Sequence, residues 1–149
     1  MGKVTFSNAD TKYRLPQKKE IIQLIKNVFK IEECVLNSLH YIFCTDSYLL
    51  NINKEFLHHD FYTDIVTFDL SNSPKETIGE IYISIDRVSD NAKTLNITEQ
   101  QELLRVIIHG ALHLCGYKDK KKSEITLMRE KEDYFLRLFE NDFIFHDKF

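Results

Sequence analysis

His109 and His113 stand four residues apart in the run His109, Gly110, Ala111, Leu112, His113. On a helix that spacing sends both imidazoles off one face, with Cβ atoms about 5–6 Å apart. Two imidazoles so placed can share one metal ion. Gly116 then permits a turn, and Asp119, six residues beyond His113, can offer a carboxylate oxygen as a third ligand. Zinc accepts both donor types at about 2.0–2.2 Å, and three protein ligands leave a fourth position open for a hydrolytic reaction. A histidine pair at this spacing is by itself often incidental. Here Leu103, Leu104, Val106, Ile107 and Ile108 precede it. They predict a buried helix, in which imidazoles without partners are costly.

The elements that must position this trio are readable along the chain. Its 149 residues, 43% hydrophobic and 29% charged, fit one soluble domain with a real core, spanning 1–149. Lys3 to Phe6 reads as a short strand, and Pro16 suits the first turn of a helix carrying Ile21, Ile22, Leu24, Ile25, Val28 and Phe29. Leu36 to Cys44 reads as a strand, after which Asp46 is the expected N-cap of a helix to about Phe56. Ile65 to Leu70 and Ile78 to Ile85 flank the turn formers Ser71, Asn72, Ser73 and Pro74, which predicts a hairpin. Asp86 is the expected cap of a helix through Leu95. Thr98 and Gln101 form a capping box for a longer helix through Leu114, ended by Gly116. A last amphipathic helix starts near Ser123, with Ile125, Met128, Phe135, Leu136 and Phe139 on its apolar side. The expected class is α+β: a sheet of about four strands covered by several helices, with the metal site at the end of the long helix.

Composition narrows the function. No segment approaches the roughly 20 apolar residues of a membrane helix, and the first ten residues lack a secretory pattern, so a cytoplasmic location is expected. Phe6 stands where a myristoylation signal requires Ser or Thr. Cys34, Cys44 and Cys115 show no paired short spacing, so reduced thiols are expected rather than a disulfide framework or a cysteine zinc finger. The net charge of -3 excludes a uniformly basic nucleic-acid-binding surface, and any nucleic-acid contact must be local. Lys118, Lys120, Lys121 and Lys122, around the third proposed ligand, are one such local patch; an exposed solubilising loop is the alternative. Tyr117 offers a ring for base stacking, or for packing against the core.

The run from His109 to Tyr117 resembles the signature of the YbeY family, small bacterial metal-dependent endoribonucleases implicated in maturation of ribosomal RNA and in ribosome quality control. Thr63 to Phe68 resembles that family's Thr-Asp-Val-Leu-Ser-Phe segment, and Gly79, Glu80, Ile81, Ile83 and Ser84 resemble its Gly-Asp-Ile strand. Met128, with Glu130 or Glu132, falls where the family's last helix carries Met and Glu. The likeness covers roughly 46 to 135. It implies a single-strand endoribonuclease acting at the 3′ end of small-subunit rRNA. It also implies one divalent metal ion, zinc by expectation, and ribosomal RNA and ribosomal subunits as partners.

Two departures stand out. Asp119 replaces the family's third histidine, and Lys118 precedes it in place of Asp. The carboxylate gives the metal more charge and makes bound water less acidic, and two His with one carboxylate also suit iron(II), manganese or nickel. Oxidation is therefore a minor alternative. Leu57 stands where the family has an Arg thought to assist catalysis. Lys54, His58 and His59 are the nearby candidates for catalytic charge stabilisation, with Asp60 matching the family's acid. A zincin-like metallopeptidase is a further alternative, weakened because Gly110 occupies the position of that class's general base. A noncatalytic ribosome-associated module that uses metal for folding is another. Attack by water and attack by a 2′-hydroxyl both remain open.

Overall fold

The computed structural model describes residues 2–141. Its elements run β1 (Lys3–Asn8), α1 (Lys18–Ile31), β2 (Leu36–Cys44), α2 (Asp46–Leu57), β3 (Ile65–Asp69), β4 (Thr77–Ser84), α3 (Ile85–Leu95), α4 (Glu99–Leu114) and α5 (Lys122–Phe139). The α+β expectation holds. The four-stranded sheet has the order β1-β2-β4-β3. β1 and β4 lie parallel to β2, and the hairpin strand β3 runs antiparallel to β4 at the edge.

Strand periodicity sorts side chains onto two faces. Leu39, Tyr41 and Phe43 of β2 join Ile81 and Ile83 of β4 in the main core with α1, α4 and α5. The opposite face holds a smaller cluster of Cys44 and Val66 with Leu49 and Ile52 of α2. Helix α4 is apolar on most of its circumference because it lies beneath the sheet and against α1, α3 and α5. The buried Tyr41 hydroxyl donates to the Ile107 carbonyl at 2.9 Å, tying helix to sheet. Gly110 permits their close approach: a Cβ there would lie 2.8 Å from Ile81 Cδ1 and 2.9 Å from Ile65 Cδ1.

The capping box of α4 is present as expected, with Thr98 and Gln101 bonded reciprocally. Two other expected caps move by one or two residues. Thr45, not Asp46, caps α2 by accepting from the Tyr48 amide at 3.3 Å. Ser84, not Asp86, caps α3 by accepting from the Arg87 amide at 3.1 Å. Long-range bonds decide both cases. Asp10 fixes the Thr45 hydroxyl at 2.6 Å, while the Asp46 carboxylate accepts from the Ser84 hydroxyl at 2.6 Å and from Arg87 at 2.7 Å. Helix α1 likewise begins at Lys18, with Pro16 in the turn before it. Ile125 is exposed, so the buried stripe of α5 is Met128, Glu132, Phe135 and Phe139. The three cysteines are free thiols.

Gly110→Ala overpacks α4 against β3 and β4 and destabilises the fold by about 1–3 kcal/mol, read as a lower urea midpoint. An unchanged midpoint would show that the isoleucines yield freely.

Candidate metal centre

The last two turns of α4 carry His109 and His113 side by side, with ring centroids 4.6 Å apart and planes at 81°. The helix ends at Cys115, and Gly116 follows at φ 104°, a left-handed conformation that favours glycine. This turn brings Asp119 back over the helix end. Its Oδ2 lies 3.2 Å from His109 Nε2 and 3.2 Å from His113 Nε2. The donor atoms of all three residues lie within 4.8 Å of one another.

These distances fit a shared ion. A tetrahedral centre with bonds of about 2.0–2.2 Å has ligand–ligand edges of about 3.3–3.6 Å, and two edges here measure 3.2 Å. The donor chemistry fits as well, because hydrogen bonds at the opposite ring nitrogens orient both imidazoles. His113 Nδ1 donates to the Tyr117 carbonyl at 2.9 Å, and His109 Nδ1 bonds Glu132 Oε2 at 2.6 Å. Both Nε2 atoms are thereby aimed at Asp119. A carboxylate behind a ligating histidine fixes its tautomer and raises its basicity.

Glu132 is the functional residue that sequence reasoning left without a role. It is only 3% exposed, and Arg105 Nη1 lies 3.0 Å from its Oε1. The signal was present: a carboxylate stands within the stripe Met128, Phe135 and Phe139, and a buried charge requires partners. Burial pushes the His109 pKa down. The hydrogen bond and charge of Glu132, with Asp119 and Asp64, outweigh it and leave that pKa above its ordinary value.

A cavity of about 860 Å³ opens beside the three residues. Its walls include Asp64, Glu102, Arg105, Lys120 and Arg129, together with Leu57 at the position of the expected family Arg. Burial raises the carboxyl pKa values of Asp64 and Glu102, and for Glu102 the neighbouring Asp64 charge adds to the effect. Among the described residues, Glu102 Oε1 is buried without a hydrogen-bond partner. The structure therefore brings His109, His113 and Asp119 together at one cavity. Lys54, His58 and His59 are not among its lining residues: Lys54 pairs with Asp60 at 3.3 Å, His58 follows α2 in a left-handed conformation, and His59 stacks on Phe61. Of the four clustered lysines, Lys120 lines the cavity, and Lys118, Lys121 and Lys122 are exposed. Tyr117 is half-buried and packs against the core, with its hydroxyl bonded to Glu32.

Comparison with known proteins identifies the family. The family model described as Endoribonuclease YbeY matches residues 5–140. A Cytophaga hutchinsonii protein named Endoribonuclease YbeY is 49% identical over 135 residues, covering 91% of this chain and 94% of the relative. Its namesake from Amoebophilus asiaticus is 46% identical over 127 residues, covering 85% of this chain and 86% of its own length. A Thermotoga maritima protein solved in solution superposes with a TM-score of 0.61 at 25% identity, over 96% of this chain and 93% of that one. The chain belongs to the YbeY endoribonuclease family.

Proposed function

We propose that this protein is a metal-dependent endoribonuclease that cuts single-stranded RNA in the cytoplasm. Its substrate on this reading is the 3′ end of small-subunit rRNA, in maturation and ribosome quality control, with ribosomal subunits as partners. The observation that carries the reading is the convergence of His109, His113 and Asp119 at the wall of a cation-bearing cavity, in a chain of this family.

His109, His113 and Asp119 hold one divalent ion, with zinc the proposed species. When bound, the ion supplies Lewis acidity for phosphodiester cleavage. Glu132 and the Tyr117 carbonyl keep the two Nε2 lone pairs directed at it. Arg129, whose side chain is 60% exposed at the cavity, and Lys120 meet the charge of a phosphate entering there. Lys54, in the last turn of α2, and His58 and His59, just after it, are the outer candidates for steadying charge. The peptidase alternative finds no support at Gly110. A side chain added there would run into Ile81 and Ile65 of the sheet, which leaves that position no room for a general base.

Metal content measured together with cleavage of single-stranded and precursor rRNA tests the reading. His109→Ala and His113→Ala each lose most bound metal and the cleavage with it; full occupancy in both variants would remove the site assignment. Cleavage of casein but not RNA would contradict the substrate assignment. Native metal content without RNA cleavage would leave only a binding module.

Two substitutions test the surroundings of the ion. Asp119→His retains or tightens zinc binding, since a neutral imidazole replaces a carboxylate on the same returning chain; complete loss of zinc would mean that residue 119 does not face the ion. Glu132→Gln keeps the side-chain volume but removes the charge behind His109, and weakens metal affinity about 10- to 100-fold. Competitive chelator titration measures this. An unchanged affinity would show that His109 is oriented by packing alone.

A further inference from the structure

Four large apolar side chains crowd the chain between the end of α2 and β3. Phe56 is 63% exposed, Leu57 38%, Phe61 55% and Tyr62 56%. Exposed apolar residues scattered singly are ordinary; four within seven positions make a patch that marks an interaction surface. The segment is pinned from below. Buried Asn53 donates from Nδ2 to the Phe61 carbonyl at 3.0 Å, and its own carbonyl accepts from the His59 amide at 3.1 Å. The rings are braced too. His59 stacks on Phe61 at 5.1 Å between centroids and 20° between planes. The Arg87 guanidinium, held by Asp46 at 2.7 Å, lies 5.5 Å from the Tyr62 ring centre. Phe56 meets Phe68 edge-on at 5.9 Å.

Rings held in place while more than half exposed form a preorganised surface, which a ligand covers with little further loss of side-chain entropy. The segment also begins and ends at the cavity: Leu57 and Thr63 line it together with His109, His113 and Asp119.

We propose that Phe61 and Tyr62, braced by His59 and Arg87, form a stacking platform for unpaired nucleobases flanking a phosphodiester held at the metal centre; this rests on the endoribonuclease reading above. Aromatic faces accept any base, so the platform adds affinity without fixing sequence. Bases within a duplex are already stacked on their neighbours, so only single strands can use it. The net charge of -3 gives the contact a purpose, because a protein without a broad basic surface must hold RNA by more than phosphate attraction.

The chain contains no tryptophan, so Phe61→Trp introduces a single indole reporter. Titrated with a non-cleavable single-stranded oligoadenylate, its fluorescence is quenched. An abasic oligomer with the same number of phosphates leaves it unquenched and binds more weakly. Phe61→Ala and Tyr62→Ala each weaken oligoadenylate affinity roughly 5- to 100-fold, with native metal content and an unchanged salt slope, whereas Tyr62→Phe binds as the native protein does. A reduced salt slope would assign these residues to phosphate contacts and overturn the platform. Alanine variants with native affinity, in a protein that still cleaves RNA, would overturn the platform alone and leave the surface to a protein partner. If the native protein neither binds oligoadenylate nor cleaves RNA, the endoribonuclease reading falls as well.

Discussion

Glu132 is a carboxylate on a helix face otherwise made of Met128, Phe135 and Phe139, and Arg105 and His109 reach it there from α4 with hydrogen bonds. Burying a charge costs several kcal/mol unless its partners are well placed. The two bonds therefore fix the rotation and height of α5 against α4 within narrow limits. The same bonds turn the His109 ring so that Nε2 faces Asp119. Packing and chemistry thus share one atom pair. The link between His109 Nδ1 and Glu132 Oε2 joins the hydrophobic core to the proposed metal centre.

The other side of α4 sets the complementary limit. Gly110 and Tyr41 hold the helix close to the sheet, one by having no side chain and one by bonding the Ile107 carbonyl. Position 110 therefore faces the sheet while positions 109 and 113 face the cavity. A helix used in this way has no room for a general base next to its first histidine. Proton transfers in the reaction must then fall to water or to groups from other elements. Asp64 and Glu102, whose carboxyl pKa values burial raises, stand on the same cavity wall.

Much of this was legible because it is local. The i, i+4 histidines, the glycine turn at Gly116, the return to Asp119 and the Thr98–Gln101 box each depend on neighbours within a few residues. The apolar runs that mark β2 and β4 are local as well, and both strands carry the core. What escaped depends on distant partners. Thr45 and Asp46 are both competent caps, and so are Ser84 and Asp86; Asp10 and Arg87, more than thirty positions from the residues they bind at Thr45 and Asp46, decide between them. Glu132 reaches His109 across 23 positions, which no local periodicity reveals. The lysine run looked uniform in sequence, yet the turn into α5 points only Lys120 into the cavity wall.

On the proposed function, two imidazole nitrogens and one carboxylate oxygen from this chain hold a single metal ion. Zinc K-edge X-ray absorption of the zinc-loaded protein tests it most directly. The expected spectrum shows nitrogen and oxygen scatterers nearest the ion at about 2.0–2.2 Å, with two imidazole signatures and no sulfur. Sulfur scattering at about 2.3 Å would place the ion on Cys34, Cys44 or Cys115 instead, and would contradict the assignment of His109, His113 and Asp119.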